Sequence, residues 1–251
     1  MITIGHIDFI NTLPLDWEGP APFAYKKISG PPTKINELLL KGEVDLGVIS
    51  LAFYLDHQGK LIRLGNLGIL SDGPVLSVNL FSQKDLTKAR GNGGLKIYET
   101  AQSATSVILN RIILRRAYGV EPVTVANRAE AEAVLLIGNQ ALLERQNGSW
   151  NHIYDLGEEW RNLTGFPTVF AVLATHQRIL KRKKTELDKV VRFIKGVYQR
   201  NKENQADLVG RALGKISLDQ KILYKYFECL KYEIGPIEEK AILLFDQIRR
   251  E

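Results

Sequence analysis

The chain has 251 residues, 45% hydrophobic and 25% charged, enough to bury a core in one large domain or in two lobes of roughly 100–150 residues each. Lys and Arg outnumber Asp and Glu by 34 to 28, for a net charge of +6, a balance that suits an acidic ligand. The basic residues are dispersed except for Lys181-Arg182-Lys183-Lys184, which reads as a solvated turn between helices; with no recognition helix or zinc-finger pattern beside it, nucleic acid is excluded as the expected partner.

The chain opens on a strand, Ile2–Ile7, with no basic region or cleavable apolar segment before it, so a cytoplasmic protein is expected. Asn11-Thr12-Leu13-Pro14 follows directly. Its carboxamide and hydroxyl either project into a cleft or close an Asx or Ser/Thr turn. Ile35, Leu38 and Leu39 share one helical face, and residues 44–49 form a second strand ending at Ser50, a candidate helix cap. Ser71-Asp72-Gly73-Pro74 is turn chemistry leading into a strand over 75–81, where Ser77 is the polar interruption of an apolar run.

Apolar residues thin out over 82–94, and Arg90-Gly91-Asn92-Gly93-Gly94 signals a turn. A strand over 95–98 then gives way to a helix carrying Val107, Ile108 and Ile112 on one face. Ser103-Ala104-Thr105-Ser106 stands at that helix start. Ser103 serves as N-cap; Thr105 and Ser106 are not needed for capping and point to a cradle for a carboxylate or phosphate. After a strand over 134–137, Asn139 either caps the next helix or faces the cleft.

A strand over 169–174 is followed only by helices, over 187–201, 204–213, 218–230 and 237–249, with Pro236 placed for a first helical turn. The single cysteine, Cys229, falls in that region as a buried, inert thiol, which excludes an internal disulfide and fits a reducing compartment. No run reaches the ~18 apolar residues of a membrane span.

Alternating strands and helices predict an α/β protein with mostly parallel sheets in two lobes. Residues 1–82 would begin the first lobe, 83–174 form the second, and 175–251 return as helices to the first, with the ligand held between them at strand ends. The four histidines, His6, His57, His152 and His176, show no metal-ligand spacing, and no nucleophile elbow, Walker loop or dinucleotide fingerprint is present. Neither a metal nor a cofactor is expected. The sequence sets no oligomeric state.

These segments resemble the chorismate dehydratase family of the futalosine route to menaquinone. The resemblance runs through Ile4-Gly5-His6-Ile7-Asp8-Phe9-Ile10-Asn11-Thr12-Leu13-Pro14, Gly42-Glu43-Val44-Asp45-Leu46-Gly47, Ser71-Asp72-Gly73-Pro74-Val75-Leu76-Ser77 and Ser103-Ala104-Thr105-Ser106. Ile137-Gly138-Asn139-Gln140-Ala141-Leu142, Asp155-Leu156-Gly157-Glu158-Glu159-Trp160, Thr164-Gly165-Phe166-Pro167 and Val169-Phe170-Ala171-Val172 continue it in order. It implies a type II periplasmic-binding-protein-like fold and a hydro-lyase that converts chorismate to 3-[(1-carboxyvinyl)oxy]benzoate. It also implies Asn11 and Ser77 at the reacting centre, with Thr12, Ser50, Ser71, Asp72, Gly73, Ser103, Thr105, Ser106 and Asn139 binding substrate.

Two positions depart from the family pattern. Phe53 stands where an acidic residue is common, so no catalytic carboxylate is assigned there, and Asn139 stands where Asp is common. The sister enzyme 1,4-dihydroxy-6-naphthoate synthase shares the fold but opens on a Ser-Pro-Cys-Pro-Asn-Asp-like motif, absent here. A non-catalytic carboxylate-binding protein is the alternative of another class.

Overall fold

A computed structural model describes residues 1–89 and 94–251. The turn expected at Arg90-Gly91-Asn92-Gly93-Gly94 lies, apart from Gly94, outside the described residues. The chain divides into two compact units, one of Met1–Ile69, Phe170–Phe227 and Tyr232–Ile234, the other of Leu70–Val169, Glu228–Lys231 and Gly235–Glu251.

Numbered along the chain, the first unit is built on β1 (Ile2–Ile7), β2 (Tyr25–Gly30), β3 (Leu46–Ser50), β4 (Leu61–Ser71), β10 (Thr168–His176) and β11 (Leu230–Glu233), in the sheet order β11-β4-β10-β3-β1-β2. Its helices are α1 (Pro32–Lys41), α2 (Leu51–Asp56), α6 (Gln177–Glu203), α7 (Gln205–Leu213) and α8 (Gln220–Cys229). Helix α1 presses its buried Ile35 onto the sheet through two glycines. A Cβ on Gly5 would meet Ile35 at 2.7 Å and one on Gly47 at 3.2 Å, so glycine is what lets this helix approach β1 and β3 so closely.

The second unit carries β5 (Val78–Ser82), β6 (Leu95–Glu99), β7 (Pro122–Thr124), β8 (Ala133–Ile137) and β9 (His152–Asp155) in the order β7-β6-β8-β5-β9. Its helices are α3 (Ala104–Ile113), α4 (Gly138–Asn147), α5 (Leu156–Thr164) and α9 (Pro236–Ile248). Phe81, Val134, Leu136 and Ala141 form a core cluster there.

Both sheets are mixed rather than mostly parallel. β1 pairs in parallel with β2 and β3, but β10 runs antiparallel to β3. Likewise β6 is parallel to β7 and β8, whereas β5 is antiparallel to β8 and β9. A right-handed crossover dictates parallel pairing only between strands joined by one; β5 and β10 arrive by other routes.

The expected division placed 70–82 in the first lobe and returned all of 175–251 to it. In the structure β5 pairs with β8 and β9, and α9 sets Phe245 against Trp160, ring centroids 6.0 Å apart. Both segments therefore group with the second unit. Pro236 does open α9.

Two smaller expectations change in part. Lys181-Arg182-Lys183-Lys184 straddles a kink at Lys183 (φ −131°, ψ 30°) where two helices meet within α6, and Lys181, Arg182 and Lys184 are exposed there as expected. Lys183 is half-buried instead: its ammonium donates to both oxygens of the buried Asp45 carboxylate at 2.9 and 2.8 Å. Cys229 ends α8 half-buried rather than in the core. No helix among the described residues is long and apolar enough to cross a membrane.

Candidate functional site

In the first unit β1 and β3 run parallel, so Asn11 and Ser50, which follow their carboxyl ends, lie at one edge of the sheet. Open α/β sheets place their ligands at this edge. Asn11 sits on a short 3-10 helix, Ile10–Leu15, that contains Pro14. Tyr232 donates to the Asn11 carbonyl at 2.8 Å, and Asn201 Nδ2 donates to the carbonyls of Leu13, Pro14 and Asp16 at 3.0–3.3 Å.

Thr12 is a turn former. Its Oγ1 lies 3.0 Å from Ile7 O and 2.8 Å from Phe9 O, so its single proton is shared between two backbone carbonyls. Asn11 differs: its Oδ1 is buried with no hydrogen-bond partner. A buried acceptor left unpaired is costly, and such atoms mark places where a ligand or water completes the site. Ser50 is buried at the N-cap position of α2 without a side-chain cap bond, and its N–H donates to Asn36 Oδ1 at 3.3 Å.

His6 lines a cavity of about 40 Å³ in the same unit, with Thr12, Asp16, Trp17 and Lys27. Its Nε2 is 3.9 Å from the carboxylates of both Asp8 and Asp16. Burial pushes the imidazole below its ordinary pKa, against the pull of Asp16. Lys27 is paired with Asp16 and lies over the Trp17 ring, 4.3 Å from its centroid.

In the second unit four chain segments converge at one sheet edge. Val78 pairs with Ile137 and Asn79 with Asp155, which brings the start of β5 beside the carboxyl ends of β8 and β9. Glu99 pairs with Leu135, adding the end of β6. Ser77, Asn139, Asp155 and the start of α3 therefore share an edge. Gly138 N–H donates to the Ser77 carbonyl at 2.7 Å, so the Asn139 and Ser77 segments are bonded directly.

Ser77 does not lie within the strand. β5 begins at Val78, and Leu76 has φ +61°, a left-handed conformation that ends any continuous strand over 75–81. Ser71 closes β4, its hydroxyl donating to Gly73 O at 2.9 Å; Gly73 itself has φ +110°. Asp72 is held between Arg161 at 3.0 Å and Lys231 at 3.1 Å, which leaves a carboxylate already partnered by cations rather than a group disposed to grip an anion.

Ser103 caps α3 as expected, accepting from Ser106 N–H at 3.2 Å. The Ser106 hydroxyl lies 3.0 Å from the same oxygen. Thr105 and Ser106 are buried. Gln102 adds a buried, unpartnered Oε1 at this helix start. Sequence reasoning missed it because an isolated glutamine carries no spacing signal.

The residue most plainly missed is Asp155. Its buried carboxylate accepts from Val75 N–H at 2.9 Å and Leu76 N–H at 2.7 Å, and from Gly157 and Glu158 N–H at 3.0 and 3.3 Å. Burial raises its pKa, while the N–H donors and Arg145 pull it down. The available signal was an Asp directly before a helix, an ordinary N-cap.

The architecture is that of a periplasmic-binding-protein-like α/β protein. A conserved Candida albicans gene product, described as having the generic periplasmic binding protein structural fold, superposes with a TM-score of 0.67 at 10% identity over 98% of this chain and 90% of its own. The periplasmic aliphatic sulphonate binding protein SsuA of Escherichia coli gives 0.66 at 12% identity, over 99% and 92%. The chain belongs to the menaquinone biosynthesis family, whose model matches residues 2–251. A chorismate dehydratase of Thermus thermophilus is 32% identical over 172 residues, 60% of this chain and 61% of that protein.

Proposed function

We propose that this protein is a chorismate dehydratase, removing water from chorismate to give 3-[(1-carboxyvinyl)oxy]benzoate. The observation that carries the reading is the match to the menaquinone biosynthesis family along residues 2–251, and the similarity to the Thermus chorismate dehydratase supports this particular reaction. The C3 proton of chorismate leaves, the C4–O bond breaks, and the hydroxyl departs with a proton as water while the ring becomes aromatic. Aromatisation supplies much of the driving force. The protein's task is to orient the substrate and stabilise charge, which neutral donors can do.

In this reading Asn11 and Ser77 orient the departing hydroxyl or the enolpyruvyl group, and the enolpyruvyl carboxylate of the substrate takes the C3 proton. The unpaired Asn11 Oδ1 supports a polar contact from ligand at that atom. Ser103, Thr105 and Ser106 hold a carboxylate at the N-terminus of α3, where helix N–H groups and dipole favour an anion, and Ser50 and Asn139 line their own sheet edges. Thr12, Ser71, Asp72 and Gly73 shape the backbone that presents these groups. The single cysteine is in keeping with a cytoplasmic reaction.

Purified protein incubated with chorismate is expected to give a product 18 Da lighter (one water) with a benzoate-like ultraviolet spectrum. Binding without turnover would favour a carboxylate carrier and sink the dehydratase reading.

A further inference from the structure

Leu76 is held in the left-handed region at φ +61°, a conformation that L residues with branched side chains rarely adopt. Both faces of its backbone are gripped by buried polar side chains. Its N–H donates to Asp155 Oδ2 at 2.7 Å, and its carbonyl accepts from Asn79 Nδ2 at 2.6 Å. Asn79 is fully buried, and its own Oδ1 accepts from Arg145 at 3.1 Å. The same Arg145 lies 4.0 Å from Asp155 Oδ2. Asn79 and Asp155 face each other across β5 and β9, so the three side chains close a ring beneath one residue. Helix α5 reinforces it: a Cβ on Gly157 would meet Gly73 O at 2.5 Å, so its first turn lies flush against the 71–75 segment.

We propose that Asp155 and Asn79 are positioning residues that lock Leu76 in its left-handed turn and thereby aim the adjacent Ser77 at the substrate. The proposal rests on the reading of Ser77 given above. Helix capping accounts for the bonds from Gly157 and Glu158 but not for those from Val75 and Leu76, which come from a segment about 80 residues away in the chain. Conformations rarely populated in isolation persist where surrounding groups over-determine them, and they gather at functional sites.

A carboxylate presents only acceptors, whereas a carboxamide turns one NH2 toward backbone N–H groups. Asp155→Asn therefore keeps the shape and breaks part of the lock. Misplacing a reacting group by an ångström costs about 10²-fold in rate. We expect Asp155→Asn to lower kcat by about that factor with KM nearly unchanged, and to speed hydrogen exchange at Leu76 N–H. Adding Leu76→Gly to Asp155→Asn relieves the conformational cost without restoring the cap, and should recover about tenfold of the lost kcat. A purely structural role would lower thermal stability without this recovery.

Wild-type kcat per folded molecule in Asp155→Asn, or no recovery in the double variant, overturns the proposal. If Asp155→Asn does not fold, Asn79→Ala, which frees the Leu76 carbonyl, is read by the same criteria. Ser77→Ala separates the two levels. If it turns over normally, the reading of Ser77 falls and the positioning role with it. If it is inactive beside a fully active Asp155→Asn, the lock alone falls.

Discussion

Asn11 and Ser77, the two residues proposed for the reacting centre, stand on turns of different construction. The Asn11 segment is a 3-10 turn closed locally by the Thr12 hydroxyl on two carbonyls and pinned from far along the chain by Asn201 on three more. Its side-chain oxygen is left over, buried and unpaired. The Ser77 segment rests on Asn79, three residues from Leu76, and on Asp155, about 80 residues away, which saturate the backbone next to it and hold Leu76 at φ +61°. The first turn needs no residue in the left-handed region, whereas the second depends on one, Leu76. A turn of ordinary backbone conformation and one held in a rare conformation by buried polar side chains should respond differently to mutation.

The largest effect should come from removing the unmet acceptor. Asn11→Ala is expected to lower turnover of chorismate by about 10²–10³-fold, within the span of positioned polar catalysis, measured from the absorbance of the aromatic product. Retained turnover would take Asn11 out of the chemistry. Next comes Trp160→Ala, which empties the place of a fully buried side chain packed on Phe245. It should cost about 3–5 kcal/mol of stability in urea denaturation. Because the Ser77 turn is locked by polar partners rather than by this packing, kcat per folded molecule should change far less than in Asp155→Asn. A comparable fall in kcat would blur the distinction.

Thr12→Val tests the local part of the Asn11 turn. Losing one shared hydroxyl proton should cost about 1–2 kcal/mol, seen as a lower urea midpoint, with a smaller loss of turnover than Asn11→Ala. The smallest effect is that of pH on the first unit. Burial holds the folded His6 below its ordinary 6.5, so the folded state binds fewer protons than the unfolded one as pH falls through that value. His6 therefore contributes stability above pH ~6.5 that is lost on acidification toward its folded pKa. Thermal unfolding at pH 5.5 and 7.5 should show a larger difference for the wild type than for His6→Gln; equal differences would refute the assignment.

Much of the fold was legible locally. Strand β1 and helices α7 and α9 fall close to where periodicity, caps and Pro236 placed them, since those signals act within a few residues. Ser103 capped its helix for the same reason. Ser77 read as a strand residue because Val75-Leu76-Ser77-Val78 belongs to a short apolar run of strand length, and nothing local reveals the carboxylate that bonds Leu76 N–H. Lys183 read as solvent-facing because a run of cations usually is; its partner, Asp45, lies far off in the chain.

Strands β1, β3, β6, β8 and β10, helices α7 and α9, the turn chemistry at Asn11 and Ser71, and the family to which the chain belongs were legible in the sequence itself, whereas β2, β4, β7, β9 and β11 were not. Such information is carried by short-range sterics, hydrogen-bonding options and side-chain periodicity. The direction of β5 and β10, the unit to which α9 attaches, and the lock around Leu76 were decided only in three dimensions. Each depends on groups tens of residues apart meeting in a desolvated interior, where a single buried carboxylate or indole outweighs local preference.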